Sequence, residues 1–399
     1  MKIVLVNHTH PDSPHVAALR MSEIAKHLSA AGDQTILFSG PLHIDDPGDD
    51  PALVETRIET HDWSKPLYIS GPLVRTPIRR AAREGKIVPP FRQVIIGATY
   101  LFWGGIFCDW RAGSSAFLTP VAKAFCPDLV YGTFGNTDAW YVARSLAVTA
   151  KCPWVADYKD PWNKFIPIGL RHNVASRFTD LAAMTVFSKA HGRDASAWFP
   201  GKKYVVYSGY RAEPNTKKST KKNDIFRVCL SGSVYDGDKV RLLLEGMIRT
   251  SLSQKIVLFY AGNDGGVVDK IVEQENFPVE FENLGYLDIA ALVQLQASAT
   301  VNVYIRNEES LFQQKVIELL ALGRPVMAIP GESAEASDIA RKIGGELIGA
   351  KTPGEIAGAL AVIGDDRTEI DQGRLQPYSW SCQTKKLRQI FSDVMDGWV

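Results

Sequence analysis

Apolar residues fall in short β-rich runs separated by stretches of helical spacing, and this alternation repeats along most of the chain. "KIVLVNH" reads as a strand, and "HVAALRMSEIAKHLSAAGDQTILFSG" follows as a helix stopped by Gly32 and a second strand, "TILFS". "PDLVYGTF", "CPWVADY", "AAMTVFS" and "KYVVYSG" read as further strands, with "TDAWYVARSLAVTA" as the helix after the first of them. Strands that alternate with helices make a parallel sheet.

The alternation stops at 211–224, "RAEPNTKKSTKKND", which is polar, lysine-rich and without apolar period, the composition of a linker. It restarts with "FRVCLSG", "DKVRLLLEGMI" and "KIVLFYAG", then "VEFENLGYL", "IAALVQLQASATVNVYI", "FQQKVIELLALG" and "RPVMAIP". The pattern predicts an α/β protein of two Rossmann-like domains, 1–210 and 225–378, facing each other across a cleft. The terminal stretch 379–399 reads as a helix that returns to the first domain. One segment departs from the alternation. Residues 75–111 gather Arg75, Arg79, Arg80, Arg83, Lys86 and Arg92 ahead of "VIIGATYLFWGGIF". That apolar run is shorter than the roughly 20 residues needed to span a bilayer, which leaves a helix filling the core or one docked on a membrane surface.

Composition changes this picture little. The 399 residues exceed one ordinary core, and 45% hydrophobic with 22% charged is the balance of a folded soluble chain. Lys and Arg total 45 against 44 acids, which removes the broad electrostatic case for a nucleic-acid partner. Five scattered cysteines without a C-x-x-C pair argue against a disulfide framework or a zinc site, and point to a reducing, cytoplasmic compartment. The apolar run at the N-terminus is too short for a signal-peptide core and reads as the first strand.

Ligands of such folds sit at the carboxyl ends of the strands. The first loop, "NHTHPDSPHVA", has no G-x-G-x-x-G fingerprint and carries His8, His10 and His15, whose spacing matches no metal motif, so polar contact with a substrate is the better reading. Asp157, Lys159 and Asp160 follow another first-domain strand and read either as an acceptor-side lining or as a salt-bridged turn. Asp138 reads as a helix N-cap. In the second domain "SGSVYDGDKVRLL" sets Gly232 and Gly237 around a turn, with Lys239 and Arg241 opening a helix. Glycines permit close backbone approach and a helix start offers free N–H groups, which suits a diphosphate, although a plain strand-to-helix turn has the same pattern. Lys315 and Glu318, at i and i+3, are either an exposed ion pair or a phosphate-facing cation beside a carboxylate that accepts the two hydroxyls of a ribose.

Four stretches together, "PWVADYKDPW", "VFSKAH" with "KYVVYSGY", "CLSGSVYDG" and "FQQKVIELLALGRPV", resemble the GT-B-fold glycosyltransferases, specifically the retaining family 4-like group that uses nucleotide-sugar donors. The resemblance covers nearly the whole chain. It implies an acceptor-binding first domain, a donor-binding second domain, and transfer without a bound metal or cofactor. The expected acceptor is lipid-linked or polysaccharide, and the expected location the cytoplasm, with the basic and aromatic segment 75–111 making peripheral contact at the inner face of the membrane. Glu318 matches the family's ribose-binding glutamate and Lys239 its diphosphate-neutralising cation, with Arg241 the weaker candidate. Gly232, Ser233, Ser310, Tyr286 and Lys315 complete the implied donor set, and His10, His15, Asp157, Lys159 and Asp160 the acceptor side. The chain departs from the family where a first glutamate is expected, since Ser310 stands there with Glu308 and Glu309 out of register. Ser208 and Gln314 replace an asparagine and a proline of the pattern. A nucleotide-sugar epimerase and a catalytically silent GT-B-like subunit are the competing expectations.

Overall fold

The computed structural model describes residues 1–211, 225–364 and 368–398. The chain divides into two units, Met1–Ser208 with Trp380–Val399, and Gly209–Ser379. The linker expected over 211–224 lies, Arg211 apart, outside the described residues.

The first unit opens with β1 (Lys2–Val6), α1 (Val16–Ala30), β2 (Gln34–Ser39), α2 (Val54–Glu59) and β3 (Leu67–Ser70). Three helices follow, α3 (Pro77–Arg83), α4 (Phe91–Trp103) and α5 (Cys108–Phe125). The unit then continues through β4 (Leu129–Thr133), α6 (Thr137–Ala150), β5 (Trp154–Tyr158), α7 (Trp162–Phe165), α8 (Arg171–Ala175), β6 (Ala183–Val186), α9 (Lys189–Ser196) and β7 (Lys203–Val205). The second unit begins with β8 (Ile225–Ser231), α10 (Gly237–Arg249), β9 (Lys255–Ala261), α11 (Gly265–Gln274), β10 (Glu280–Asn283) and α12 (Ile289–Ser298). Its other half holds β11 (Val301–Ile305), α13 (Lys315–Leu320), β12 (Val326–Ile329), α14 (Ala334–Ile343), β13 (Leu347–Gly349), α15 (Pro353–Val362) and α16 (Gln372–Leu375). The last helix, α17 (Trp380–Asp396), belongs to the first unit.

Both sheets are parallel. The first has seven strands in the order β3-β2-β1-β4-β5-β6-β7, and the second six in the order β10-β9-β8-β11-β12-β13. Val4 pairs with Ile36 on one side and Val130 on the other, so β1 is central and buried on both faces, which is why it reads as an unbroken apolar run. In each sheet the chain starts in the middle, winds outward, then crosses to the opposite side. The crossover falls between β1 and β4 in one unit and between β8 and β11 in the other, and the loops leaving those neighbouring strands diverge.

The helices α1 and α17 share a core. Leu387, Ile390 and Phe391 pack with Met21, Ile24 and Leu5, and Arg388 Nε donates to Asp33 at 2.6 Å. Two elements differ from the pattern-based expectation. The run "FQQKVIELLALG" is helical only over Lys315–Leu320, and Phe312, Gln313 and Gln314 are buried in the non-helical turn that precedes it. The basic and apolar segment yields α4, which sends Tyr100 into the core with Ile96 packed against it and leaves its other face outside, so it fills the core only in part.

Candidate functional site

In the second unit β8 ends at Ser231 and the chain turns through Gly232 at φ +89, a conformation that strains any residue with a side chain. A Cβ at Gly232 would also collide with Lys315 Nζ. That amine donates to the Ser231 carbonyl at 3.1 Å and lies 5.5 Å from the centre of the Tyr304 ring. Burial pushes the Lys315 amine down to about 8, with the charge of Glu318 working the other way. Glu318, one turn further along α13, accepts from Gln314 Nε2 at 3.4 Å. A partly desolvated cation therefore sits against bare backbone where the β8 and β11 loops separate.

Those loops also meet through Lys239, in the first turn of α10, whose Nζ is 3.6 Å from Glu308 Oε1. Ser310, named from the family pattern, is tied into its own loop. Its Oγ donates to the Phe312 carbonyl at 2.9 Å and its carbonyl accepts from Arg306 at 3.2 Å. Glu308 is thus the carboxylate that reaches the cation. Arg241 is drawn elsewhere, pairing with Asp238 at 2.6 Å and with Glu275 on the exposed side of α10. Ser233 and Tyr286 are exposed, and Tyr286 follows β10 at the sheet edge, two strands from β8.

Three residues at this end of the sheet escaped the reading of the sequence. Tyr304 lies beneath the Lys315 amine, and its hydroxyl donates to Glu332 Oε2 at 2.9 Å. Arg306 Nε stands 3.5 Å from the other oxygen of Glu332. The usable signal was positional, since Tyr304 and Arg306 flank the last residue of a buried strand at the crossover.

The first unit's crossover is built differently. The His8 ring is packed 4.2 Å from Phe107 and 5.8 Å from Trp110. Burial, with Arg83 and His15 adding to it, lowers the His8 imidazole to about 4, so it is neutral near pH 7. His10 Nδ1 accepts from the Asp12 amide at 3.2 Å. His15 caps α1, its Nδ1 accepting from Ala17 N at 3.1 Å, and feels both Lys159 and Asp160. Lys159 Nζ is 3.2 Å from Asp160. The β1 and β5 loops thus bring His15, Lys159 and Asp160 into one neighbourhood. Among the described residues no cluster of three or more His, Cys, Asp or Glu is placed to hold a metal ion.

Asp157 corrects the acceptor-side expectation. Its side chain is fully buried in β5, where Arg20 Nε and Nη2 donate to its two oxygens at 3.0 Å each, and Thr133 and Thr185 hydroxyls at 2.9 Å each. Burial works against the charge, but Arg20 and the hydroxyls outweigh it and hold the carboxyl below the usual range. Arg20 also donates to Ser208 Oγ and the Val206 carbonyl. The pair locks α1 to β5 and to the end of β7, which is scaffolding. Asp138 is corrected as well. Asn136 is the cap of α6, accepting from Ala139 N at 3.1 Å, while Asp138 accepts from Phe107 N at 2.8 Å and faces Arg111.

A cavity of about 700 Å³ lies elsewhere on this unit, among the loops after β2 and β3 and helix α3, lined by Asp45, Asp46, Arg75, Arg80, Glu84 and Lys86 among others.

Two α/β units with parallel sheets of seven and six strands are the architecture of the GT-B fold. The chain is similar to Alr3699/HepE of Anabaena, crystallised with UDP and glucose, at a TM-score of 0.63 and 15% identity over 98% of this chain and 100% of that one. It is similar to a glycosyltransferase of Rickettsia africae at 0.58 and 13%, over 98% of each chain. A Listeria monocytogenes protein assigned as a UDP-N-acetylglucosamine 2-epimerase matches at 0.53 and 11%, over 97% of this chain and 94% of that one. No family model and no curated protein matches the sequence. At such identities the likeness is one of fold.

Proposed function

We propose that the protein is a glycosyltransferase that moves a sugar from a nucleoside-diphosphate sugar to a lipid-linked or polysaccharide acceptor with retention of configuration and without a bound metal or cofactor. The observation that carries the reading is the Lys315 amine held over the bare backbone of Gly232, where any side chain would collide with the cation. A diphosphate fits this chemistry, with Lys315 facing it and Lys239 supplying a second charge. As the glycosidic bond breaks, negative charge grows on the leaving phosphate, and a preplaced cation stabilises that state more than the ground state. Lys239 takes that role once the diphosphate competes with Glu308 for it. Glu318 accepts the ribose hydroxyls. Attack comes from the leaving-group face, and a phosphate oxygen takes the acceptor proton, so no protein nucleophile is needed. The first unit carries the acceptor side through the loops bearing His10, His15, Lys159 and Asp160.

An epimerase reading draws on the likeness to the Listeria protein. The two differ in what they need, since an epimerase converts the donor with no acceptor present. The test is calorimetric titration of UDP into wild type and Gly232→Ala, followed by NMR of UDP-glucose and UDP-N-acetylglucosamine held with the wild type alone. Binding by wild type that falls about tenfold or more in the variant supports the site. A second UDP-sugar accumulating without acceptor supports the epimerase, and equal UDP affinity in the two proteins removes the proposed diphosphate site.

A further inference from the structure

The first unit carries an apolar surface that its own core does not cover. Phe91, Val94, Leu101 and Phe102 recur at i, i+3, i+10 and i+11 along α4, which places them on one face. Phe91 is 66% and Phe102 71% exposed. The opposite face turns inward, with Tyr100 buried and its hydroxyl donating to the Phe165 carbonyl at 3.0 Å. That bond sets the Phe165–Leu170 turn beside α4, and Ile168 on this turn is 86% exposed. Val88, just ahead of the helix, is exposed too.

Charge frames the patch. Residues 75–107 hold six cations and one acid, Glu84, while residues 162–178 hold Lys164, Arg171 and Arg177 and no acid. Arg80 and Lys86 pair with Glu84, and Arg83 with Asp109. Among the described residues, four other arginines do not meet carboxylates. Arg79 stacks on Trp103 and donates to Cys108 Sγ, Arg92 donates to the Ala82 carbonyl, Arg171 to the Ile166 carbonyl, and Arg177 to the Leu101 carbonyl at 2.8 Å. Their charges remain available to an anionic partner.

We propose that the outer face of α4, with the Phe165–Leu170 turn, is a docking surface for an anionic lipid bilayer, with α4 lying in the plane of the interface. The whole run Phe91–Phe125 is long and apolar enough to cross a membrane by length and composition. It is broken, however, at Gly104, whose φ of +77 ends α4, and much of α5 is buried in the unit's core. Helix α4 alone extends about 20 Å, less than the roughly 30 Å of a bilayer's apolar layer. A second copy is the less suitable occupant, because a two-fold contact would set the same arginines against each other. An anionic surface meets both the aromatic anchors and the cationic rim.

The surface also has a consequence for chemistry. Phe107, at the end of the turn that follows α4, packs on His8 of the β1 loop, so docking would bring lipid near the loops assigned to the acceptor.

The test is co-sedimentation of the full chain with phosphatidylcholine vesicles, with and without about 30 mol% phosphatidylglycerol. Wild type is expected to pellet with the anionic vesicles only, and to be released at about 0.5 M salt. Phe91→Glu with Phe102→Glu should lower the partition coefficient about tenfold or more. Arg92→Gln with Arg177→Gln should lower it on anionic vesicles while leaving the aromatic face intact. Melting curves and UDP titration on the same samples report folding and the second unit's site separately from docking. Wild type that stays in the supernatant overturns the proposal, as does a phenylalanine variant that stays folded and pellets like wild type. So does a dimer, seen by light scattering, that this variant dissolves while vesicles bind neither protein.

Discussion

The two crossovers, between β1 and β4 and between β8 and β11, are topologically equivalent, yet the polar groups around them are organised for different ends. Around the first, polar and aromatic groups are matched to one another. Asp157 has four donors within its own unit, and the His8 ring is enclosed by Phe107 and Trp110. At the second, Lys315 donates to one carbonyl and its amine takes the space that a side chain at Gly232 would fill. A matched buried pair gives rigidity and little capacity to bind, whereas a desolvated cation over bare backbone is stabilised further by an arriving anion. Equivalent topology therefore does not assign equivalent chemistry.

The largest expected effect tests the structural side of this contrast. Asp157→Ala leaves the Arg20 guanidinium buried without its carboxylate, and breaking such a pair costs about 3 to 5 kcal/mol. Chemical denaturation monitored on the first unit should show that loss, while molecules that remain folded bind UDP as wild type does. A stable Asp157→Ala protein with lost transfer activity would return Asp157 to the acceptor site.

A smaller effect is expected on the catalytic side. Lys239→Ala removes the cation beside Glu308 and should lower kcat about 100-fold, or ~2.7 kcal/mol, with a much smaller change in KM. Lys239 is half-buried and its partner Glu308 is largely exposed, so folding stability should hardly move. If turnover survives, the leaving phosphate must be neutralised elsewhere, with Lys315 and Arg306 the next cations to test at this crossover.

Much of this was readable in the chain because parallel strands buried on both faces declare themselves as apolar runs, and "TDAWYVARSLAVTA" is α6 residue for residue. Gly232 and Lys315 were legible as types, since a glycine turn after a strand and a lysine opening a helix are local features. Their contact was not, because it joins residues 83 positions apart through the order of strands, which the sequence leaves open. The Arg20–Asp157 pair failed for the same reason, although an arginine between Ala17 and Ile24 on the apolar side of α1 was a visible anomaly. Position 310 misled in a different way. Motif register pointed to Ser310, while the loop's own hydrogen bonds turn that residue inward and present Glu308 to Lys239.

The smallest effect separates the two roles open to Glu318. As a ribose ligand, its carboxylate contributes a charged hydrogen bond, and Glu318→Gln should weaken UDP affinity about tenfold at pH near 6, where Lys315 is charged in both proteins. As a partner of Lys315 alone, Glu318 acts through the amine. The Lys315 amine is lowered to about 8 by burial and held up by Glu318, so anion binding should be strong below that value and fade as pH rises through it. Removing the Glu318 charge lowers the amine further, which moves the alkaline fall in affinity to lower pH. Calorimetric titration of UDP from about pH 6 to pH 9 in both proteins resolves the two contributions. A weaker plateau at low pH marks ribose binding, and a shifted fall with an unchanged plateau marks electrostatic support of Lys315. If the variant shows neither, the carboxylate belongs to the fold, and the second crossover then resembles the first more closely than the contrast between them allows.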